Sequence, residues 1–215
     1  LILLAGATVA TNGCAKKWQT GAVVGAGGGA VAGAAIGQVA GSTTKGAIIG
    51  AVVGGVAGGL IGNEMDKRAA ELRQNIKGAK VERVGEGIQV TFDSGLLFDI
   101  DKDDLRPEAR TNLRELARSF DKYEDSDILI AGHTDNTGTE AHNQKLSIDR
   151  ADAAAGFLVD NGVSGKRIRT VGLGEMEPIE TNETAAGRQA NRRIEVAIYA
   201  SKDMQEAAKK KAAGG

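Results

Sequence analysis

The stretch GHTDNTGTEAHNQKLSIDRA, residues 132–151, decides how this chain is read. It closes the apolar run DILIA and opens a segment whose apolar residues recur at helical spacing. It also concentrates chemistry, with His133, Asp135, Glu140, His142, Asp149 and Arg150 close together. Catalysis needs a nucleophile beside an oriented base, or paired carboxylates with separated pKa values. The surrounding residues hold no cysteine and no serine elbow, so no catalytic residue and no enzyme activity are expected. A zinc site takes three or four ligands, and the chain has only 2 histidines beside its carboxylates. DNTGTE offers oxygens at alternating positions but lacks the longer loop and terminal bidentate glutamate of an EF-hand. The GLG at 172–174 has no phosphate loop after it. Neither a metal nor a cofactor is expected, and His133 reads as structural. Two opposite charges remain: Asp135 at the end of the strand and Arg150 well inside the next helix. They can pair with each other, or each can meet its opposite on a ligand bearing both an ammonium and a carboxylate.

Outward from this junction, residues 87–200 have the texture of a folded α/β unit. GIQVTF reads as a strand, and RPEARTNLRELARSF as an amphipathic helix with Pro107 in its first turn. Ala109, Leu113, Leu116, Ala117 and Phe120 form its apolar face. DILIAGH is a buried strand, and a helix from Glu140 to Asn161 is closed by Gly162. RIRTVGLG and RRIEVAIYA supply two more strands, with a short helix around 185–190. Alternating strands and helices favour parallel pairing in at least part of the sheet.

The first third of the chain is a different material. Residues 21–62 hold 15 of the 31 glycines, and residues 1–62 carry three lysines and no acidic group. Gly21, Gly25, Gly29, Gly33, Gly37 and Gly41 recur every fourth residue. After STTK the pattern restarts at Gly46, Gly50, Gly54, Gly58 and Gly62. Glycine costs a helix about 1 kcal/mol against alanine at each interior site, so this phase needs a physical reason. Period-four glycines leave a groove into which a second helix backbone can pack closely. The two segments would be about 31 Å and about 25 Å long at the helical rise, near a bilayer core. A glycine-zipper helical hairpin is expected over 21–62, spanning the bilayer or lying at its surface. Met65, Ala69, Leu72 and Ile76 then extend it as an amphipathic stalk and linker over 63–86. No concentrated basic face suggests nucleic acid.

Cys14 is the single cysteine, so no internal disulfide exists. It follows LILLAGATVATNG, an apolar run of the kind that precedes a secretory cleavage site. TNGC resembles a bacterial lipobox, with Gly13 in place and Thr11 and Asn12 departing from the usual residues. Ala15, rather than aspartate, after the cysteine resembles the outer-membrane sorting pattern.

FDSGLLFDIDKDDLRPEA, GHTDNTG, NQKLSIDRADA, VGLGEMEPIETN and NRRIEV together resemble the OmpA-like periplasmic domain over residues 87–200. The resemblance implies an α/β (α+β) fold with a mixed sheet and helices on one side, preceded here by the zipper hairpin. It also implies non-covalent binding of the meso-diaminopimelate of peptidoglycan. At the matching positions, Asp135 takes the ligand's ammonium and Arg150 its carboxylate. Phe98 and Asp99 line the pocket, partly through backbone groups, with Asn143 and Leu146 beside them. Asn191 and Arg193 read as structural.

The expected organisation is a truncated signal peptide over 1–13, a lipid-anchored tether over 14–20, the hairpin, the stalk, the domain, and a basic flexible tail over 201–215. The function that follows is an anchor between outer membrane and wall, with peptidoglycan and membrane lipid as partners. The alternative is an envelope scaffold or pore, a homo-oligomer built through its zippers, with wall binding secondary. Cys14 is expected to be the mature N-terminus and to carry two or more acyl chains, as stable anchoring requires. Intact mass of the native protein checks this, and a product starting at another residue contradicts it.

Overall fold

The computed structural model describes residues 42–214. The signal peptide, Cys14, the tether and the first zipper arm lie outside the described residues. Five strands form one mixed sheet: β1 (Ala79–Val84), β2 (Gly87–Asp93), β3 (Ser126–Gly132), β4 (Ile168–Gly172) and β5 (Arg193–Ala200). Their spatial order is β1-β2-β5-β3-β4, antiparallel throughout except for the parallel pair β3–β4. That one parallel pair is joined by the long helix that follows residue 139, as a crossover connection requires.

Seven α-helices accompany the sheet among the described residues: α1 (Thr43–Gly50), α2 (Gly55–Asn75), α3 (Ser94–Leu97), α4 (Pro107–Lys122), α5 (Glu140–Asp160), α6 (Ala185–Asn191) and α7 (Lys202–Ala213). The main core lies on one face. There Ile88, Val90 and Phe92 of β2, Ile128 and Ile130 of β3, and Ile194, Val196 and Ile198 of β5 meet α2, α4, α5 and α7. Successive strand residues point to opposite faces, so Leu129, Ala131, Ala197 and Tyr199 emerge on the back. They too are buried.

The cover on the back is α1, which the sequence assigns to the second zipper arm. Its Ala47 and Ile48, with Ala51 beyond its end, pack on those four back-face residues, and Ile48 is 1% exposed. The second arm is therefore not one uninterrupted helix over 46–62. It breaks between α1 and α2, where Gly54 (φ +71°) and Gly55 (φ +62°) adopt the left-handed conformation that side chains resist. At this turn the Glu86 carboxylate accepts from the amides of Val53 and Gly54, both at 2.8 Å, so the tip of the β1–β2 hairpin holds the break. No helix among the described residues is long and apolar enough to cross a membrane.

Two other segments differ from expectation. The stalk stripe Met65, Ala69, Leu72 and Ile76 is buried in the main core, because α2 lies against β1, α4 and α7 rather than projecting away. Arg68 on the same helix is 2% exposed, stacked over Tyr123 at 4.0 Å and bonded to Asp125 and Ser126. Residues 79–84 form the edge strand β1 rather than a linker. The basic tail is α7, capped by the Ser201 hydroxyl and anchored by Met204 and Ala208.

Truncating a fully buried branched side chain removes its transfer energy and leaves a cavity. Ile48→Ala is accordingly expected to lower the unfolding free energy of the full chain by about 2–4 kcal/mol, read from denaturant midpoints. An unchanged midpoint would mean that α1 does not pack on the sheet.

Candidate functional site

The site forms where β3 ends. A Cβ on Gly132 would lie 2.0 Å from the Ser147 carbonyl oxygen, so glycine lets α5 settle directly on the strand. Beyond it, the His133 amide donates to Arg193 O at 2.9 Å and the Thr134 amide to Gly174 O at 2.8 Å. The chain then turns at Asp135, whose Oδ1 accepts from the Thr137 amide at 2.7 Å. Thr139 caps α5 by accepting from the His142 amide. Local turn chemistry thus sets where the carboxylate sits.

Asp135 is 4% exposed, and its other oxygen accepts from Arg192 Nη1. Burial alone would raise its pKa. The Thr137 amide and hydroxyl and the Arg192 guanidinium outweigh burial and hold the carboxyl below its ordinary range. Arg192 in turn donates to Gln189 Oε1, and Gln189 Nε2 reaches both oxygens of Asp93 at 2.5 and 2.7 Å. A polar chain therefore ties Asp135 to the start of α3.

Arg150 lies in the middle of α5 and is also 4% exposed. Its Nε donates to Lys102 O at 2.8 Å, its Nη2 to Asp99 O at 3.3 Å and its Nη1 to Ser94 Oγ at 3.4 Å. The guanidinium sits 5.3 Å from the Phe98 ring centroid, within cation–π range. Burial lowers its pKa and the Asp101 carboxylate opposes that shift; an arginine stays charged regardless. Among the described residues Asp135 and Arg150 form no ion pair. Each is held by other groups.

The remaining sequence-assigned residues surround them. Phe98 is buried, whereas the Asp99 side chain is 59% exposed, near Lys102 and Arg106, and only its carbonyl faces Arg150. Asn143 is buried and donates to Asp135 O at 3.1 Å and Glu175 Oε2 at 2.7 Å, so it braces the loop. Leu146 is half-buried, one turn before Arg150 on the same helix face. Asn191 and Arg193 are consumed internally: Asn191 bonds Ile179, Glu180 and Asn182, and Arg193 bonds Glu195, Asn191 and Glu177. Arg192 is the group that sequence reasoning missed. Its signal was the arginine doublet itself, since alternation along an extended chain sends the two guanidiniums to opposite sides.

Behind the cleft lies a buried charged cluster. Glu195 accepts from Arg193 Nε at 2.6 Å and from the Thr44 hydroxyl of α1. Glu177 accepts from the Thr43 amide at 3.0 Å and its hydroxyl at 2.5 Å. The N-terminus of α1 is thus latched by two carboxylates, which the helix dipole also favours.

Comparison with known proteins places this geometry in context. The model of the OmpA family matches residues 97–192, and that of the YMGG-like Gly-zipper matches residues 1–66. The chain is 36% identical over 139 residues to the probable lipoprotein YiaD of Escherichia coli (strain K12), covering 64% of each. It is 36% identical over 115 residues to the outer-membrane lipoprotein YfiB of Pseudomonas aeruginosa, covering 54% of this chain and 68% of the relative. The chain spans less than two thirds of the length of other relatives, 59% of the outer membrane protein A of Bordetella avium and 35% of the outer membrane porin F of Pseudomonas fluorescens. Among solved structures, the cell wall anchor of the T6SS from Pseudomonas aeruginosa superposes with a TM-score of 0.55 at 29% identity, covering 64% of this chain and 97% of that one.

His133 gives the stability of the fold a pH dependence. It is 1% exposed, and neither ring nitrogen has a hydrogen-bond partner among the described residues, Nε2 standing 4.0 Å from Glu195 Oε1. Burial, and then the Arg193 charge, push its pKa from 6.5 down to about 3, with Glu195 opposing. In the fold it stays neutral where the unfolded chain's histidine takes a proton. Stability therefore falls as pH drops below the unfolded value and toward 3, by roughly 1.4 kcal/mol per pH unit in mid-window. Denaturant unfolding of the native chain and His133→Gln between pH 7 and 4 should show this slope in the former and lose it in the latter.

Proposed function

Because this chain belongs to the OmpA family and carries a YMGG-like glycine zipper ahead of the domain, we propose that it is a non-enzymatic anchor joining the outer membrane to the cell wall. The domain works in the periplasm, and acyl chains on Cys14 hold the membrane side. The observation that carries the reading is the state of Asp135 and Arg150. They are two buried opposite charges at one cleft, each oriented by neighbours and not neutralised by the other. A ligand bearing both an ammonium and a carboxylate matches that arrangement, and the meso-diaminopimelate of wall peptides bears both.

In this reading Asp135 takes the ammonium and Arg150 the carboxylate, beside the Phe98 ring. The half-exposed Arg192 already engages one oxygen of Asp135, so an arriving ammonium shares that carboxylate or displaces the guanidinium. Before a ligand arrives, Arg192 keeps Asp135 from being a bare buried anion. No bond is made or broken, so incubation with purified peptidoglycan should release no fragments.

Asp135→Ala and Arg150→Ala should each abolish most sacculus binding. Stranding one charge of a buried hydrogen-bonded pair costs roughly 2–5 kcal/mol, and the low end already lowers affinity by about 30-fold. Free diaminopimelate should compete with the native chain for sacculi. Melting temperatures measured on the same samples separate lost binding from lost folding. Normal affinity in both folded variants would refute the assignment.

A further inference from the structure

The end of the sheet remote from the cleft, where β3 and β4 begin and β5 ends, carries a cavity of about 270 Å3. Three back-face positions contribute to it: Arg169 of β4, Asp127 of β3 and Tyr199 of β5, the last two being direct cross-strand partners. Lys166 enters from the turn before β4, and Lys202 and Asp203 from the start of α7. Among the described residues none of these five charged groups has an ion-pair partner within 4.0 Å. Tyr199 is 2% exposed, and its hydroxyl has no hydrogen bond among the described residues. Burial pushes the Asp127 carboxyl up, against the opposing Arg169 charge. Asp127 and Arg169 are half-buried and Lys166, Lys202 and Asp203 exposed, so both signs of charge meet at the cavity without pairing among the described residues.

The wall of this cavity contributed by α1 is Gly50 and Ala51, and the chain on either side of them is apolar and exposed. Ile49 is 60%, Val52 44% and Val56 72% accessible, all at the turn where α1 gives way to α2. Exposed aliphatics beside unpaired cations are the composition of a surface that rests in a headgroup layer. We infer that this end of the domain docks on a phospholipid bilayer. Ile49, Val52 and Val56 enter the headgroup layer, and the cavity takes a headgroup. Its phosphate meets Arg169, Lys166 and Lys202, and its ammonium meets Asp127 and Asp203. The seven residues of β3 separate the two ends by roughly 20 Å at strand rise. Membrane and cleft ligand therefore engage different ends of one rigid body.

The test uses the full chain with Cys14→Ser, which removes both the acyl site and the native thiol. An environment-sensitive fluorophore is placed through Val56→Cys, with Glu183→Cys, at the cleft end, as the control. Vesicles of phosphatidylethanolamine and phosphatidylglycerol carry a quencher among their acyl chains. The label at 56 should shift to the blue and be quenched, while the label at 183 stays in water. Basic residues near an anionic surface add to its attraction, so Arg169→Glu with Lys202→Glu should weaken this partitioning at least about tenfold. Sacculus binding of the same variant should be unchanged, which separates this inference from the wall-binding reading. A label at 56 that remains in water while the chain binds vesicles through its zippers overturns the inference. So does a label already shielded without vesicles, which would assign the patch to the first zipper arm. Shielding that grows with protein concentration would assign it to a second copy, and an undiminished signal in the charge-reversed variant would remove the headgroup from the cavity.

Discussion

A strand that is apolar on both faces must be covered on both, and β3 and β5 impose that condition on the whole molecule. Their front residues are covered by helices from within the domain. Among the described residues, their back residues Leu129, Ala131, Ala197 and Tyr199 are covered by α1, drawn from the glycine-rich segment upstream. Burying this apolar area contributes about 25 cal/mol per Å2 removed from water, so the upstream segment is part of the fold's stability. The same face also contains Glu195, 3% exposed. A carboxylate there is tolerable only because Arg193 and Thr44 satisfy it. One of those two groups belongs to α1, so apolar cover and polar satisfaction arrive together.

The cleft inherits its rigidity from the same core. Small residues at the end of β3 bring α5 close, and the turn at Asp135 and the cap at Thr139 fix the strand and helix ends. Neither charge is left to find its geometry when a ligand arrives. Asp135 is aimed by Thr137 and Arg192, and Arg150 by three oxygens of the segment from Ser94 to Lys102. Preorganised charges of this kind lose little side-chain entropy on binding.

Most of the domain was legible because its segments agree at every level. Ala109, Leu113, Leu116 and Phe120 name one helix face, DILIAGH reads as a buried strand, and RRIEVAIYA reads as a strand. What the sequence did not disclose is what covers the second side of the sheet. Period-four glycines with valine and isoleucine satisfy a membrane helix, a helix pair and a sheet cover alike. Only the left-handed turn at Gly54 and Gly55 distinguishes them, and glycine does not announce its φ. The strand over 79–84 mixes charged residues with valine at a sheet edge, and α7 has two apolar anchors among four lysines and two acids, so both looked like solvated chain. At the cleft, Asp135 and Arg150 stood out as charges at a strand–helix junction. The partner of Asp135 came from residue 192, and no local spacing links the two.

The latch on α1 also has a mechanical meaning. The upstream chain enters the fold at Thr43 and Thr44, held by Glu177 and Glu195. Glu195 stands three residues from Arg192, which grips Asp135. For a chain that holds the wall at Asp135 and is tethered upstream of Ser42, tension carried by the tether crosses this corner of the domain. That pull runs from Thr44 through the first residues of β5 to the cleft, whereas a membrane docked at the far end of the sheet loads the strands along their length. Envelope strain would then test a few buried charged hydrogen bonds before it tested the hydrophobic core.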